Sequence, residues 1–319
     1  IFTSKEQVDD AIVLLEKMPL TKDEIGFLQK NYLSMVKQLK EILRKLENQI
    51  ELVNDDLRKA MEALQEKHKI LQEQQELIQK ELDFARRVQE KLLPQLPKTS
   101  HFEVQVKMIV ATSVGGDFYS LYPVDGGLVV AIGDVSGHGV PSALAMVLMR
   151  DALLHELQRN PYEDPSKILE SMNKVAIRDL NSEMFTTFFY ARMDLNEREI
   201  YYGNASHTLP MLIRDGNLIE LDTLGFMLGA SEATEYENKK MELKHGDLLF
   251  FYTDGLTELR HKRKNEMLGK EAVAQLLLKN ANLPLPEILE TLNRFVESYG
   301  GTPPYDDDVT YLLIRVLLS

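Results

Sequence analysis

From Val36 onward, apolar residues recur every seven positions for almost sixty residues. With Val36 at position a of a heptad, the a positions are Val36, Leu43, Ile50, Leu57, Leu64, Leu71, Ile78, Ala85 and Leu92, all apolar. The d positions open apolar at Leu39, Leu46, Val53 and Ala60. They turn polar at Lys67, Gln74 and Glu81, then return to apolar at Val88. A seam sustained this long predicts a coiled coil. At the helical rise it is about 85 Å long, too long to fold back on a small domain, so a second copy must share it. β-Branched residues and Leu mixed at a, with Leu at d, predict a parallel homodimer through residues 25–92. No Gly or Pro falls between Gly26 and Pro94, and Pro94 cannot continue a helix.

Upstream, a shorter amphipathic helix is predicted over about Lys5 to Lys17, joined through Met18-Pro19-Leu20 to a second that opens at Asp23-Glu24-Ile25-Gly26. This pair resembles a HAMP signalling module, whose second helix opens with Asp-Glu-x-Gly and feeds a coiled coil. It departs from that pattern in its very short connector and in Ser4, where a proline is usual. The resemblance implies the cytoplasmic part of a membrane-anchored receptor. The expected organisation is a HAMP-like module over 1–47, a coiled-coil linker over 48–93 and a catalytic domain over 94–319.

From Phe102 the pattern changes to short apolar runs and alternating stretches. Strands are predicted at about 102–111, 117–123, 128–134, 186–194, 199–204, 209–214, 217–221, 247–253 and 308–316. Asp125-Gly126 and Asp215-Gly216 mark hairpin turns. Helices are predicted at about 139–159, 165–181, 269–280 and 284–298. Frequent hairpins and paired long helices give an α+β class, two stacked antiparallel sheets with helices outside.

Composition narrows the chemistry. A net charge of −13 over 319 residues excludes a general nucleic-acid binder. The absence of cysteine excludes disulfides and thiolate metal sites. No apolar run approaches the roughly 20 residues that span a bilayer. Acids instead gather at strand edges. Asp117 follows Gly115-Gly116, Asp134 ends Leu128-Val129-Val130-Ala131-Ile132-Gly133, Asp254-Gly255 ends Leu248 to Thr253, and Asp306-Asp307-Asp308 precedes the final strand. Adjacent carboxylates repel one another unless cations compensate. Four such motifs predict an oxygen-only site for hard divalent ions such as Mg²⁺ or Mn²⁺. Two ions about 3.5–4 Å apart can lower the pKa of a water and absorb charge during attack on phosphorus. The chain offers no Gly-x-Ser-x-Gly elbow or other stronger nucleophile. His207 is either a proton shuttle or a hydrogen-bonded structural histidine.

The ordered set Gly-Gly-Asp-Phe-Tyr, Gly-Asp-Val-Ser-Gly-His-Gly-Val-Pro, Asn-Ala-x-His, Tyr-Thr-Asp-Gly and Asp-Asp-x-Thr resembles the PPM-type metal-dependent serine/threonine phosphatases. The branch is that of SpoIIE and RsbU, and the run Ala85-Arg86-Arg87-Val88-Gln89-Glu90-Lys91-Leu92-Leu93-Pro94 is typical of it. The resemblance covers about residues 83–319. It implies an αββα sandwich, preceded here by the coiled coil, with two Mn²⁺ or Mg²⁺ ions between the sheets. Asp134 would bridge both ions and the Val135 carbonyl would ligate one. Asp117, Asp254 and Asp307 would hold ions directly or through water, with Asp308 the adjacent alternative to Asp307. Asp117 and Asp134 carry the catalytic role. The implied substrate is a phosphorylated STAS-domain anti-sigma-factor antagonist in bacterial partner switching.

Some positions depart from the branch. Ser120 stands where an acid is frequent, and Ala111-Thr112 replaces a common Pro-Ala; both are expected to lie away from the metal acids. Ser136 occupies the place of the histidine in eukaryotic relatives, so His138 should not inherit its acid role, and their phosphate-clamping arginine has no clear counterpart. Among rivals, a diguanylate cyclase needs a different residue set around Gly-Gly-Asp-Phe. A histidine kinase needs an acid and a downstream proline around His68. The remaining alternative is a catalytically weak dimeric scaffold.

Overall fold

The computed structural model describes residues 5–17, 19, 24–97, 99–181, 183–264 and 266–318. The chain divides into two compact units, residues 1–79 and 80–319. In the first unit, helix α1 (Lys5–Lys17) and the start of α2 (Glu24–Leu92) stand where the apolar spacing places them. Lys37–Glu16 at 2.6 Å and Lys40–Asp9 join the two helices. Of the HAMP-like signature, Ser4, Asp23 and the connector residues Met18 and Leu20 lie outside the described residues. No helix among the described residues is long and apolar enough to cross a membrane.

α2 is one uninterrupted helix of 69 residues that carries the whole heptad array. From Leu46 to Ile78 its a and d side chains stand open in the single chain: Ile50 is 59% exposed, Leu57 56% and Leu64 68%.

The second unit is a four-layer sandwich. One sheet contains β2 (Phe118–Val124), β3 (Gly127–Val135), β4 (Thr186–Asp194), β5 (Glu199–Ala205) and β8 (Lys239–Glu242), hydrogen-bonded in that order. The other contains β1 (Phe102–Ile109), β10 (Val309–Val316), β9 (Leu248–Tyr252), β6 (Met211–Arg214) and β7 (Asn217–Glu220), in that order. Every pairing is antiparallel. Helices α3 (Val140–Arg159) and α4 (Pro165–Asp179) cover the first sheet, and α6 (Lys270–Asn280) and α7 (Leu285–Gly300) the second.

Strand alternation sorts side chains between layers. In β3, Leu128, Val130 and Ile132 enter the core between the sheets, while Val129, Ala131 and Val135 pack under α3 and α4. In β10, Leu312, Ile314 and Val316 enter the inter-sheet core, while Val309, Tyr311 and Leu313 pack under α6 and α7. Both strands are buried on both faces, which is why they read as continuous apolar runs. Each fully buried Leu or Phe contributes about 1.5–3 kcal/mol. The same parity fixes the polar residues at the strand ends. Asp134 follows Ile132, Thr310 precedes Leu312, and Thr187 precedes Phe189 of the inter-sheet core, so all three belong to the inter-sheet face at one mouth of the sandwich.

Candidate metal centre

Asp117 is the most deeply held acid of this mouth, at 1% exposure. It immediately precedes β2, yet its Oδ2 accepts hydrogen bonds from the opposite sheet, 2.8 Å from Thr253 Oγ1 and 2.6 Å from Thr310 Oγ1. Thr253 follows β9, and its hydroxyl also accepts the Thr310 N–H at 3.1 Å. One carboxylate therefore joins the two sheets where their acids meet.

Asp308 is buried beside it. Its Oδ1 accepts the Ala111 N–H at 2.8 Å, and its Oδ2 lies 3.4 Å from the Asp117 nitrogen. The expectation that Ala111 stands clear of the acids fails here. Its backbone N–H, which a proline would lack, binds one of them. Asp307 is exposed and accepts the Asp308 N–H at 2.8 Å. Asp254 opens the single-turn helix α5 (Asp254–Thr257). Asp306 is exposed and stands 3.6 Å from Arg260 across a surface ion pair.

Two glycines let these segments close up. A Cβ on Gly115 would lie 2.0 Å from Asp308 Oδ2, and one on Gly255 would lie 2.0 Å from the Asp308 carbonyl oxygen. Only glycine permits both approaches. Gly115 is also gripped from α2. Gln89, buried among otherwise exposed neighbours on that helix, donates from Nε2 to the Gly115 carbonyl at 2.7 Å. It accepts the Gly115 N–H at Oε1, 3.2 Å away.

The electrostatics is that of crowded acids without a cation. Burial pushes the Asp117 carboxyl well above the usual range, and Asp134 and Asp308 push it further, against the two threonine bonds. Burial first, then Asp254, Asp307 and Asp308, pushes Asp134 up to about 7. Asp254 is raised by burial and by Asp307, and Asp308 chiefly by burial. Among the described residues no lysine or arginine ion pair reaches these acids. This is the donor set of a hard divalent cation: carboxylates, a backbone carbonyl at Val135 and room for water. Among the described residues no three acids or histidines are already closed on one point. Mg²⁺ does not need that, because it keeps several waters and takes one or two carboxylates per ion.

The mouth opens into two small clefts on either side of Asp306 and Asp307. One, of about 190 Å³, is bounded by Ala111, Gly115, His138 and Asp308. The other, of about 160 Å³, is bounded by Gly255, Glu258, Arg260 and Tyr305. His138 is exposed in the wall of the first. His207 is not exposed to either. It is buried, burial pushes its imidazole down to about 3, and its backbone and ring are tied to Asn204 and Thr187. Its ring is held inside the fold, away from both clefts.

The structure thus brings Asp117, Asp134, Val135, Asp254, Asp307 and Asp308 to one place. Sequence reasoning quoted Gln89, Thr253 and Thr310 within its motifs but gave them no role, and it passed over Thr187. Thr253, Thr310 and Thr187 share the signal of a polar residue at the end of an apolar strand on the inter-sheet parity.

Comparison with known proteins places relatives beside this chain. Residues 124–317 match the family model for stage II sporulation protein E (SpoIIE). Phosphoserine phosphatase RsbU of Bacillus subtilis is 29% identical over 238 residues, covering 74% of this chain and 70% of RsbU. Of three further curated relatives, the chain spans 46%, 58% and 34% of their length. The solved PP2C domain of SiaA from Pseudomonas aeruginosa superposes with a TM-score of 0.68 at 28% identity. That match covers 76% of this chain and 98% of the SiaA domain. RsbX, solved in complex with magnesium, shares the fold at 18% identity and a TM-score of 0.55, over 70% of this chain and 98% of RsbX.

Proposed function

Because this chain belongs to the SpoIIE family, we propose that it is a metal-dependent phosphoprotein phosphatase acting on phosphoserine or phosphothreonine. The observation that carries this reading is the set of mutually repelling acids at the sandwich mouth, with Asp117 and Asp134 raised in pKa and no lysine or arginine ion pair to them among the described residues.

Asp117, Asp134, Asp254, Asp307 and the Val135 carbonyl would hold two Mn²⁺ or Mg²⁺ ions. Asp307 is the better ligand of the adjacent pair. The oxygens of Asp308 already face the backbone of Ala111 and Asp117, whereas Asp307 acts electrostatically on both Asp134 and Asp254. Asp308 then supports Gly115 and Asp117 from behind. The ions supply the positive charge that activates water and stabilises the phosphoryl oxygens. The chain's own part is to fix the acids, which Thr253 and Thr310 do for Asp117. The two clefts give the phosphoryl group its access.

The substrate we propose is a phosphorylated STAS-domain anti-sigma-factor antagonist, by extension from the RsbU-like relatives. The two helices of the HAMP-like module and the coiled coil would relay a signal, in a homodimer formed along the open heptad face of α2. A membrane anchor in the parent protein completes this reading.

The test is release of phosphate from a generic aryl phosphate and from a phosphoserine-bearing STAS protein, with Mn²⁺ and with EDTA. Turnover that needs Mn²⁺ and favours the STAS protein is expected. Equal rates in EDTA would refute the metal reading. Binding of the phosphoprotein without phosphate release in Mn²⁺ would make the chain a scaffold.

A further inference from the structure

His207 stands just beyond β5, and together with Thr208 it reaches both sheets. On its own side, Asn204 Oδ1 accepts the His207 N–H at 2.7 Å, and Asn204 Nδ2 donates to the His207 carbonyl at 2.9 Å. That pair fixes the backbone rigidly at the end of β5. The ring then meets β4 through Nδ1, 2.8 Å from Thr187 Oγ1. On the opposite sheet, the next residue, Thr208, donates its hydroxyl to the Tyr252 carbonyl, while His207 Nε2 is buried with no hydrogen-bond partner among the described residues. The bridge thus runs from Thr187 through the His207 ring and the adjoining backbone to Thr208 and Tyr252.

Both ends of this bridge lie next to acids. Thr187 is the cross-strand partner of Asp134, on the inter-sheet face by strand parity. Tyr252 is followed by Thr253, whose hydroxyl binds Asp117, and by Asp254. The inter-sheet core behind the mouth is apolar, and its dispersion contacts have no direction of their own. Hydrogen bonds do have direction. We propose that His207, with Thr187 and Thr208, is a positioning element that sets the spacing of the two acid-bearing sheets, and so the metal affinity of the site. The proposal rests on the metal reading of the acids. Second-layer groups of this kind change metal affinity by about 10- to 100-fold when removed.

The experiment is titration calorimetry of Mn²⁺ into the full, metal-stripped chain, with near-ultraviolet circular dichroism to check the fold. Thr187→Val cuts the bridge on one sheet and Thr208→Val on the other. Each should weaken Mn²⁺ binding by about tenfold or more, and Thr187→Ser should restore the parent isotherm. Thr208 makes its bond with Tyr252 and not with an acid, so its effect on Mn²⁺ cannot come from lost ligation. Variants that keep the fold and the parent affinity, or melt earlier without any change in affinity, overturn the proposal. A parent chain that takes up no Mn²⁺ instead overturns the metal reading beneath it.

Discussion

Replacing Asp134 by Asn should destroy the enzyme and stabilise the metal-free fold. Burial and the charges of Asp254, Asp307 and Asp308 lift this carboxyl from 3.8 to about 7. An acid whose pKa is higher folded than unfolded binds more protons when folded. Its favourable contribution is fully present below the unfolded value near 4 and is lost as the pH rises through about 7. Three pKa units correspond to about 4 kcal/mol at pH 8. The Asn amide brings in a donor that costs about 1–3 kcal/mol if unpaired. A net gain of about 2 kcal/mol remains, worth about 4–8 °C in a domain of this size. The assay is thermal unfolding in EDTA at pH 5 and pH 8, repeated in Mn²⁺, beside phosphate release. Asp134→Asn should melt above the parent at pH 8 in EDTA, and the gap should shrink at pH 5. Mn²⁺ should reverse the order, because ligand binding stabilises the chain that binds it. A variant that melts below the parent at pH 8 in EDTA refutes the charge reasoning. One that hydrolyses phosphate at the parent rate in Mn²⁺ refutes the assignment of Asp134.

Asp307→Asn should lower Mn²⁺-dependent turnover by orders of magnitude, whereas Asp306→Asn, in an exposed pair with Arg260, should change it little; equal effects in a kinetic comparison would contradict the ligand choice. Gln89→Leu removes both hydrogen bonds to Gly115 and should weaken Mn²⁺ binding by about tenfold, and an unchanged titration would show that the grip is passive. Deleting residues 1–82 should turn a dimer into a monomer in sedimentation, and a dimer of unchanged affinity would move the contact to the phosphatase unit. Changing Lys67, Gln74 and Glu81 together to Leu should shift turnover by about tenfold or more, equivalent to about 1.4 kcal/mol. Greater heat stability with unaltered kinetics would leave the coil a spacer.

The apolar strands were legible because burial on both faces writes itself as an uninterrupted run, as in Leu128 to Ile132 and Leu248 to Tyr252. The acids were legible for the same reason, since each closes or opens such a run. β8 was not. Lys239-Lys240-Met241-Glu242 is an edge strand whose side chains alternate half-buried and exposed, and its lysines suit an edge that must not pair further. α5 escaped because four residues leave no periodicity to read. The links between Asp117 and the threonines span 136 and 193 residues of sequence. Nothing local announces them, so the sequence pointed to the acids but not to what holds them.

The placement of β10 has a consequence for the order of events during synthesis. β1 and β9 do not touch each other; each pairs with β10, which lies between them, so that Phe102 meets Val316 and Phe251 meets Leu312. β10 leaves the ribosome after every other element described here. Until it does, β1 waits without a partner for more than two hundred residues, the time of about 10–40 s at ordinary elongation rates. Thr310 and Asp308 arrive with the same strand. The nascent chain therefore carries Asp117 and Asp134 without the residues that complete their surroundings, and hydrolytic competence should appear in one step as β10 inserts, rather than growing with chain length.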